Sequence, residues 1–520
     1  MSVSGSPVVR VCAAGFAWLT LTATTGCGHG AHLPDAGTSA GTPPASTTTP
    51  AASSRTSTPL PMATTDIANP EKLQAMSQLI DDAIAAQRLP GAVVLVGHAG
   101  GVVFHRAFGS RKLPGEPGLD GAPAPAEPMT EDTLFDLASL TKSLATAPAV
   151  LQLVERGSVN IDDPLQTYLP GFNPANDPRR GRVTLRMLLT HTSGIAGDLS
   201  LDGPWGLDRA DKAEGVRRAL AAQVVFDPGE VFHYSDINFI LLGALIEKIT
   251  GEPLDGYVQS NVLGPLGMHD TYYLPPAKVC GPHRIRGTAI VVESGANAAG
   301  QCPTGTWSTD LLARVAPTSH DGDSWEEPER NPDFGHLVRG TVHDPTARRM
   351  GGVTGSAGLF ATAQDVGRYA QALLDRRAGR VSAFPLQAST VELMTTPQQP
   401  GHNASQVAAA NIASLEAIQS SPDRADPLLA PNYPAISGQD LRGLGWDIDT
   451  AHSRPRGRIF PIGGFGHTGF TGTTLWIDPG SDTYVVVLAN VIHQPGGPPI
   501  ASLSGDIATL TAMALGLYGS

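Results

Sequence analysis

Two pairs of apolar, β-branched runs stand at opposite ends of this chain, and they restrict its fold more than any other feature. Residues 92–97 and 102–108 flank Ala99-Gly100-Gly101, which reads as a hairpin. Residues 473–477 and 483–488 flank Asp478-Pro479-Gly480, which reads as a turn. A helix is predicted outside each pair. Leu73, Met76, Leu79, Ile80 and Ile84 recur at helical spacing before the first, and Leu503, Ile507, Leu510 and Met513 after the second. The segment between is mainly helical in pattern. One sheet built from both termini, with an inserted helical region, buries all four runs. The expected class is therefore α/β of the α+β type, with an antiparallel sheet from residues 66–135 and 440–520. Residues 136–439 form the helical part. Two long stretches within it, 282–349 and 397–439, read as irregular inserts.

The N-terminus reads as an export signal over residues 1–27. Arg10 precedes an apolar stretch from Val11 to about Thr25, and Gly26-Cys27 follows. The stretch is shorter than the roughly 20 residues of a membrane-spanning helix. Thr25-Gly26-Cys27 resembles a bacterial lipoprotein cleavage site, although Thr24 stands where Leu is usual, so Cys27 is a lipidation candidate. A secreted protein with a spare cysteine is the alternative. Residues 28–65 are Ala, Thr, Ser, Pro and Gly-rich without an aromatic residue, and they are expected to form a disordered tether. An exported protein of the periplasm or cell envelope is expected, with a lipid anchor at Cys27 if that site is used. In an oxidising compartment Cys280 and Cys302 can pair; two free thiols remain the other reading. The net charge of −13 argues against a nucleic-acid partner.

Three segments carry chemistry. Ser139-Leu140-Thr141-Lys142 stands at a predicted helix start. Ser139 is by position an N-cap candidate. Lys142, one turn on, also lies on the same face, and a buried lysine pushed toward neutrality would take a serine proton. Pro148 falls inside the same helix and should kink it. Tyr234-Ser235-Asp236 precedes the apolar run 239–246, where a tyrosine often only packs. His467-Thr468-Gly469 opens a C-terminal strand, where a simple turn is the plain alternative. A Gly-x-Ser-x-Gly match at residues 37–41 lies in the tether, without the strand and helix that a nucleophile elbow requires.

In this order the three segments resemble the serine β-lactamase and penicillin-binding family, in its class C, D,D-carboxypeptidase and esterase branch. That family carries Ser-x-x-Lys, Tyr-x-Asn and Lys-Thr-Gly or His-Thr-Gly. Further likeness lies in Leu188-Leu189-Thr190-His191-Thr192-Ser193-Gly194, in Asp162-Asp163-Pro164 with Tyr168-Leu169-Pro170, in Pro228-Gly229, in Gly355-Ser356-Ala357-Gly358-Leu359 and in Gly443-Leu444-Gly445-Trp446. The resemblance runs from about Asp66 to the C-terminus. It implies a serine β-lactamase/D,D-peptidase-like fold, with Ser139 as nucleophile and Lys142 and Tyr234 as the proton-transfer pair. It also implies an oxyanion hole from the backbone N–H groups of Ser139 and Phe470. Asp236, His467, Thr468 and Gly469 would contact substrate, His467 through a substrate carboxylate or as a proton relay. No metal or other cofactor is implied.

Two departures shape the functional expectation. Asp236 replaces the family asparagine, and an ionised aspartate accepts hydrogen bonds but donates none. It would hold Lys142 and repel an anionic substrate; Asn238, two residues on, is a conceivable substitute. His467 replaces lysine, which weakens a fixed cation for a β-lactam carboxylate. The expected activity is that of a D,D-carboxypeptidase-like or carboxylesterase-like hydrolase on a small-molecule or peptide substrate. A β-lactamase and a non-catalytic penicillin-binding-like protein are the alternatives.

Overall fold

Strands from both ends of the chain meet in one eight-stranded antiparallel sheet. The computed structural model describes residues 57, 59–62, 67–287, 289–293, 302–420, 432–494 and 500–520. The expected export signal, Cys27 and most of the 28–65 segment lie outside the described residues. Across the sheet the strands run Leu441–Gly443, Trp446–Asp449, Phe465–Gly469, Thr473–Asp478, Thr483–Ala489, Gly91–His98, Gly101–Lys112 and Glu127–Pro128. The N- and C-terminal halves join where Ala92 faces Ala489 and Val94 faces Val487. Ala99 and Gly100 both take positive φ in the hairpin turn, the conformation that matches strand twist in a tight hairpin.

The central strands are apolar at nearly every position because both of their faces are covered. Ala92, Val94, Val96, Val485 and Val487 point into a core shared with the terminal helices Pro70–Ala85 and Ala501–Ala514. Val93, Leu95, Tyr484, Val486 and Leu488 point the other way, into the larger core of the helical region. At the centre of that region is the helix Asp236–Thr250. Ile237, Phe239, Ile240, Leu241, Leu242, Leu245 and Ile246 are all buried on it, the pattern of a helix enclosed on all sides. Ser235 caps its start by accepting from the Asn238 N–H, and Gly251 ends it in a left-handed conformation.

Four expectations are corrected. The 28–65 segment is not wholly a free tether. Ser57 is buried and donates its N–H to Asp270, its hydroxyl accepts from the His269 N–H, and Pro61 accepts from the Val102 N–H. The 397–439 stretch contains a 15-residue helix, Gln406–Ser420, whose Ala-rich sequence supports helix without a strong apolar stripe. The 282–349 stretch holds short paired strands, including His283–Arg286 with Ala289–Val292, and the helix Pro345–Arg349. A disulfide joins Cys280, just before the stretch, to Cys302 within it. Finally, Pro148 does not kink a regular helix. A π-helical turn, Lys142–Thr146, precedes the helix Ala147–Glu155, and the Ala147 N–H bonds the Lys142 carbonyl. Proline crowds the carbonyl four residues back, and the wider turn absorbs that conflict.

The loop 351–358 packs directly on the Asp236–Thr250 helix through two glycines. A Cβ on Gly355 would collide with the Phe239 carbonyl and the Gly243 backbone. Gly355→Ala is therefore expected to lower stability by about 2–4 kcal/mol through overpacking, read as a fall in thermal midpoint. An unchanged midpoint would contradict this packing.

Candidate active site

Ser139 sits in a tight turn between the strand Phe135–Asp136 and the helix that follows it. Ala138 holds φ +45° there, an uncommon conformation for a residue with a Cβ. Asp136 keeps it in place: its carboxylate accepts from the Ala138 N–H at 2.9 Å and from the His343 N–H at 2.7 Å. Burial pushes the Asp136 carboxyl up to about 6, against the lowering effect of those two bonds.

The Ser139 hydroxyl accepts a hydrogen bond from Lys142 Nζ at 2.9 Å. Lys142 is fully buried, and it also donates to the Ser356 carbonyl at 3.0 Å and pairs with Asp236 Oδ1 at 2.5 Å. The turn carrying it is tied to two other segments singled out in the sequence. Thr146 donates to the Gly355 carbonyl at 2.7 Å, and Ser143 donates to the Gly445 carbonyl at 2.6 Å. The Lys142 ammonium lies 5.1 Å from the centre of the Tyr234 ring, and Lys142 and Ser139 both act to lower the Tyr234 pKa.

The charge state of Lys142 differs from the sequence expectation. Burial alone would push its pKa down, but Asp236 and Tyr234 together raise it above the usual lysine value. Lys142 rests as an ammonium. Tyr234 rests as a neutral phenol, its pKa raised by burial and by Asp236 against the lowering influence of Lys142.

Two carboxyls that sequence reasoning missed surround Asp236. Burial and then Asp236 raise the Asp198 pKa. Burial, followed by Asp236, pushes Asp344 up to about 7. Asp344 also caps the helix Pro345–Arg349 by accepting from the Ala347 N–H at 2.6 Å. The site around Lys142 is therefore acidic. Asn238 is not the substitute for the family asparagine. It is buried and held by other partners, accepting from the Ser193 hydroxyl at 2.6 Å and meeting His191 Nδ1 at 3.2 Å.

The strand Phe465–Gly469 borders the site. It pairs with Thr473–Asp478 along its length, but with Trp446–Asp449 only at Gly466. His467, Thr468 and Gly469 therefore lie beyond the pairing on that side. The turn after them is fastened to the segment that leads into Ser139. Thr471 donates to the Asp136 carbonyl at 2.7 Å and Thr473 to the Leu137 carbonyl at 3.0 Å, while a Cβ on Gly469 would collide with that same carbonyl. These bonds bring the Phe470 backbone and the Ser139 turn together. The Phe470 ring is exposed and stacks on His343 at 5.9 Å.

His467 does not offer the cation that a carboxylate ligand needs. Burial pushes its pKa down to about 3, with Asp447 opposing and Arg442 and Lys142 reinforcing the shift. Its Nδ1 lies 2.8 Å from the Thr468 carbonyl, so the proton sits there and Nε2 is left as a buried acceptor without a protein partner. Arg442, also buried, is paired with Asp447. Among the described residues, no three of His, Cys, Asp and Glu are grouped to hold a metal ion.

Known proteins share this arrangement of chain and sheet. Residues 76–501 match the Beta-lactamase family. An Escherichia coli (strain K12) protein with the provisional name D-alanyl-D-alanine carboxypeptidase is 29% identical over 444 residues, spanning 83% of this chain and 85% of its own. The N-acetylmuramyl-L-alanine amidase of Bacillus subtilis is 28% identical over 440 residues, 82% of each chain. Among solved structures, simvastatin synthase from Aspergillus terreus superposes with a TM-score of 0.56 at 23% identity, covering 85% of this chain and 98% of its own. EstCE1, a hydrolase with promiscuous acyltransferase activity, superposes with a TM-score of 0.54 at 20% identity, covering 84% and 99%. With a family match over most of its length and a sheet closed from both termini, this chain belongs to the Beta-lactamase family of serine β-lactamase and transpeptidase-like proteins.

Proposed function

We propose that this protein is an exported serine hydrolase that works through an acyl-enzyme on Ser139. Its substrates are cell-envelope peptides or esters, in the manner of a D,D-carboxypeptidase or a carboxylesterase. The observation that carries this reading is the gathering of Ser139, Tyr234 and Asp236 around the buried Lys142. A serine hydroxyl needs a neighbour to take its proton, and Lys142 is within hydrogen-bond distance.

Ser139 Oγ bonds to the substrate carbonyl carbon, and the carbonyl π pair moves to oxygen, facing the backbone N–H groups of Ser139 and Phe470. The Ser139 proton passes to the Lys142–Tyr234 pair after that pair has lost one proton to solvent. Collapse expels the leaving group, which receives a proton from the pair, and water then releases the acyl group. Asp236, Asp198 and Asp344 make the site acidic, and His467 is neutral. Both features disfavour a carboxylate beside the scissile bond, which β-lactams and D-Ala-D-Ala peptides share, and so weigh toward the ester side of this reading. The names of the Escherichia coli and Bacillus subtilis relatives support an envelope substrate, and the EstCE1 likeness is compatible with ester chemistry.

The test is incubation with a fluorescent penicillin or an activated ester, followed by mass mapping of Ser139, alongside turnover of D-Ala-D-Ala peptides, short-chain esters and a chromogenic cephalosporin. An adduct on Ser139 with peptide or ester turnover is expected. Rapid cephalosporin turnover would favour a β-lactamase, and folded protein with neither adduct nor turnover would overturn the reading.

A further inference from the structure

His191 holds Tyr234 from three directions. Its carbonyl accepts from the His233 N–H at 2.8 Å, and its Nδ1 accepts from the Ser235 N–H at 3.2 Å. The two amides that flank Tyr234 are thus both anchored on one residue. Its ring lies 4.4 Å from the Tyr234 ring, tilted by 32°. We infer that His191 is the positioning residue that aims the Tyr234 hydroxyl at Ser139 and Lys142, an inference that rests on Tyr234 carrying protons in the reaction.

Several features show that the clamp is rigid. His191 is fully buried and holds φ +56°, a left-handed conformation that histidine adopts at some cost. Asn238 Nδ2 approaches the same Nδ1 at 3.2 Å, and the Asn238 carbonyl oxygen is held by Ser193. With two donors directed at Nδ1, the ring proton belongs on Nε2. Phe239 closes the other side of the ring at 5.1 Å. Burial, with Arg442 and Lys142 nearby, keeps the ring neutral, so it adds no charge to the proton-transfer pair. His191 touches neither Ser139 nor Lys142 by any bond described above. Its effect on the reaction passes through Tyr234.

A mutant cycle in the full chain tests this. His191→Phe keeps a ring and removes the acceptor. It is expected to lower kcat by about 10–100-fold with KM little changed, the scale of a misplaced catalytic group. His191→Asn returns an acceptor near the Nδ1 position on a residue that tolerates positive φ, and should regain most of that loss. In a Tyr234→Phe background neither substitution should cost more, because the group they position is already gone. Equal losses in both backgrounds, or wild-type kcat for both variants, would overturn the inference. If one variant does not fold, the same comparison with the other decides. If Tyr234→Phe itself keeps full activity, the proton role of Tyr234 is what fails, and the cycle shows this separately from the His191 result.

Discussion

Ser139→Ala is expected to abolish the covalent adduct with a fluorescent penicillin or an activated ester and to lower turnover by about a thousandfold or more. The size follows from the chemistry: without Oγ no acyl-enzyme forms, and only binding and oxyanion stabilisation remain. The variant should also fold. Ser139 contributes one acceptor to Lys142, which keeps its ion pair with Asp236 and its bond to the Ser356 carbonyl. The change in stability should stay within about 1 kcal/mol. Labelling followed by intact-mass measurement, with a thermal melt beside it, reads both effects. An adduct that persists in the alanine variant would show that the nucleophile lies elsewhere.

Asp236→Asn should move the pH profile. In the wild type, Asp236 is paired with the Lys142 ammonium at 2.5 Å and raises the lysine pKa despite complete burial. The proton-accepting form of Lys142 is then scarce at neutral pH, and kcat/KM should climb as pH rises. Asparagine removes the negative charge and leaves burial, which favours the neutral amine. The Lys142 pKa must fall, so the rising limb of kcat/KM should shift to lower pH by about 1–3 units. Asparagine matches aspartate in shape, and position 236 begins a helix whose cap is supplied by Ser235, so the fold should be kept. A limb that stays where it was would mean that another group titrates in the reaction.

Much of the scaffold was legible because its signals are local. Residues 92–97 and 483–488 are continuous apolar runs ended by turn residues, and such runs form strands covered on both faces. The terminal helices were marked by apolar spacing at Met76, Ile80, Leu503 and Ile507. Less was legible in the inserts. Gln406–Ser420 lacks a strong apolar stripe, and its helix came from alanine content that the surrounding Gly and Pro obscured. The bonding of Ser57 and Pro61 to the domain was hidden because their partners, Asp270, His269 and Val102, are distant in sequence.

The site divides the same way. Spacing alone made Ser139 and Lys142 neighbours, since three residues are one helical turn, and motif order singled out Tyr234, Asp236 and His467. The charge on Lys142 had no local signal. It depends on Asp236 reaching a buried ammonium from another helix, with Tyr234 beside it. The neutrality of His467 and the grip of His191 on Tyr234 also arise only when separate segments are packed into one dry space. By itself, the sequence determined which residue types stand where along the strands and the Ser139 turn. Tertiary structure decided their protonation and aim, because both depend on burial and on partners brought together from far along the chain.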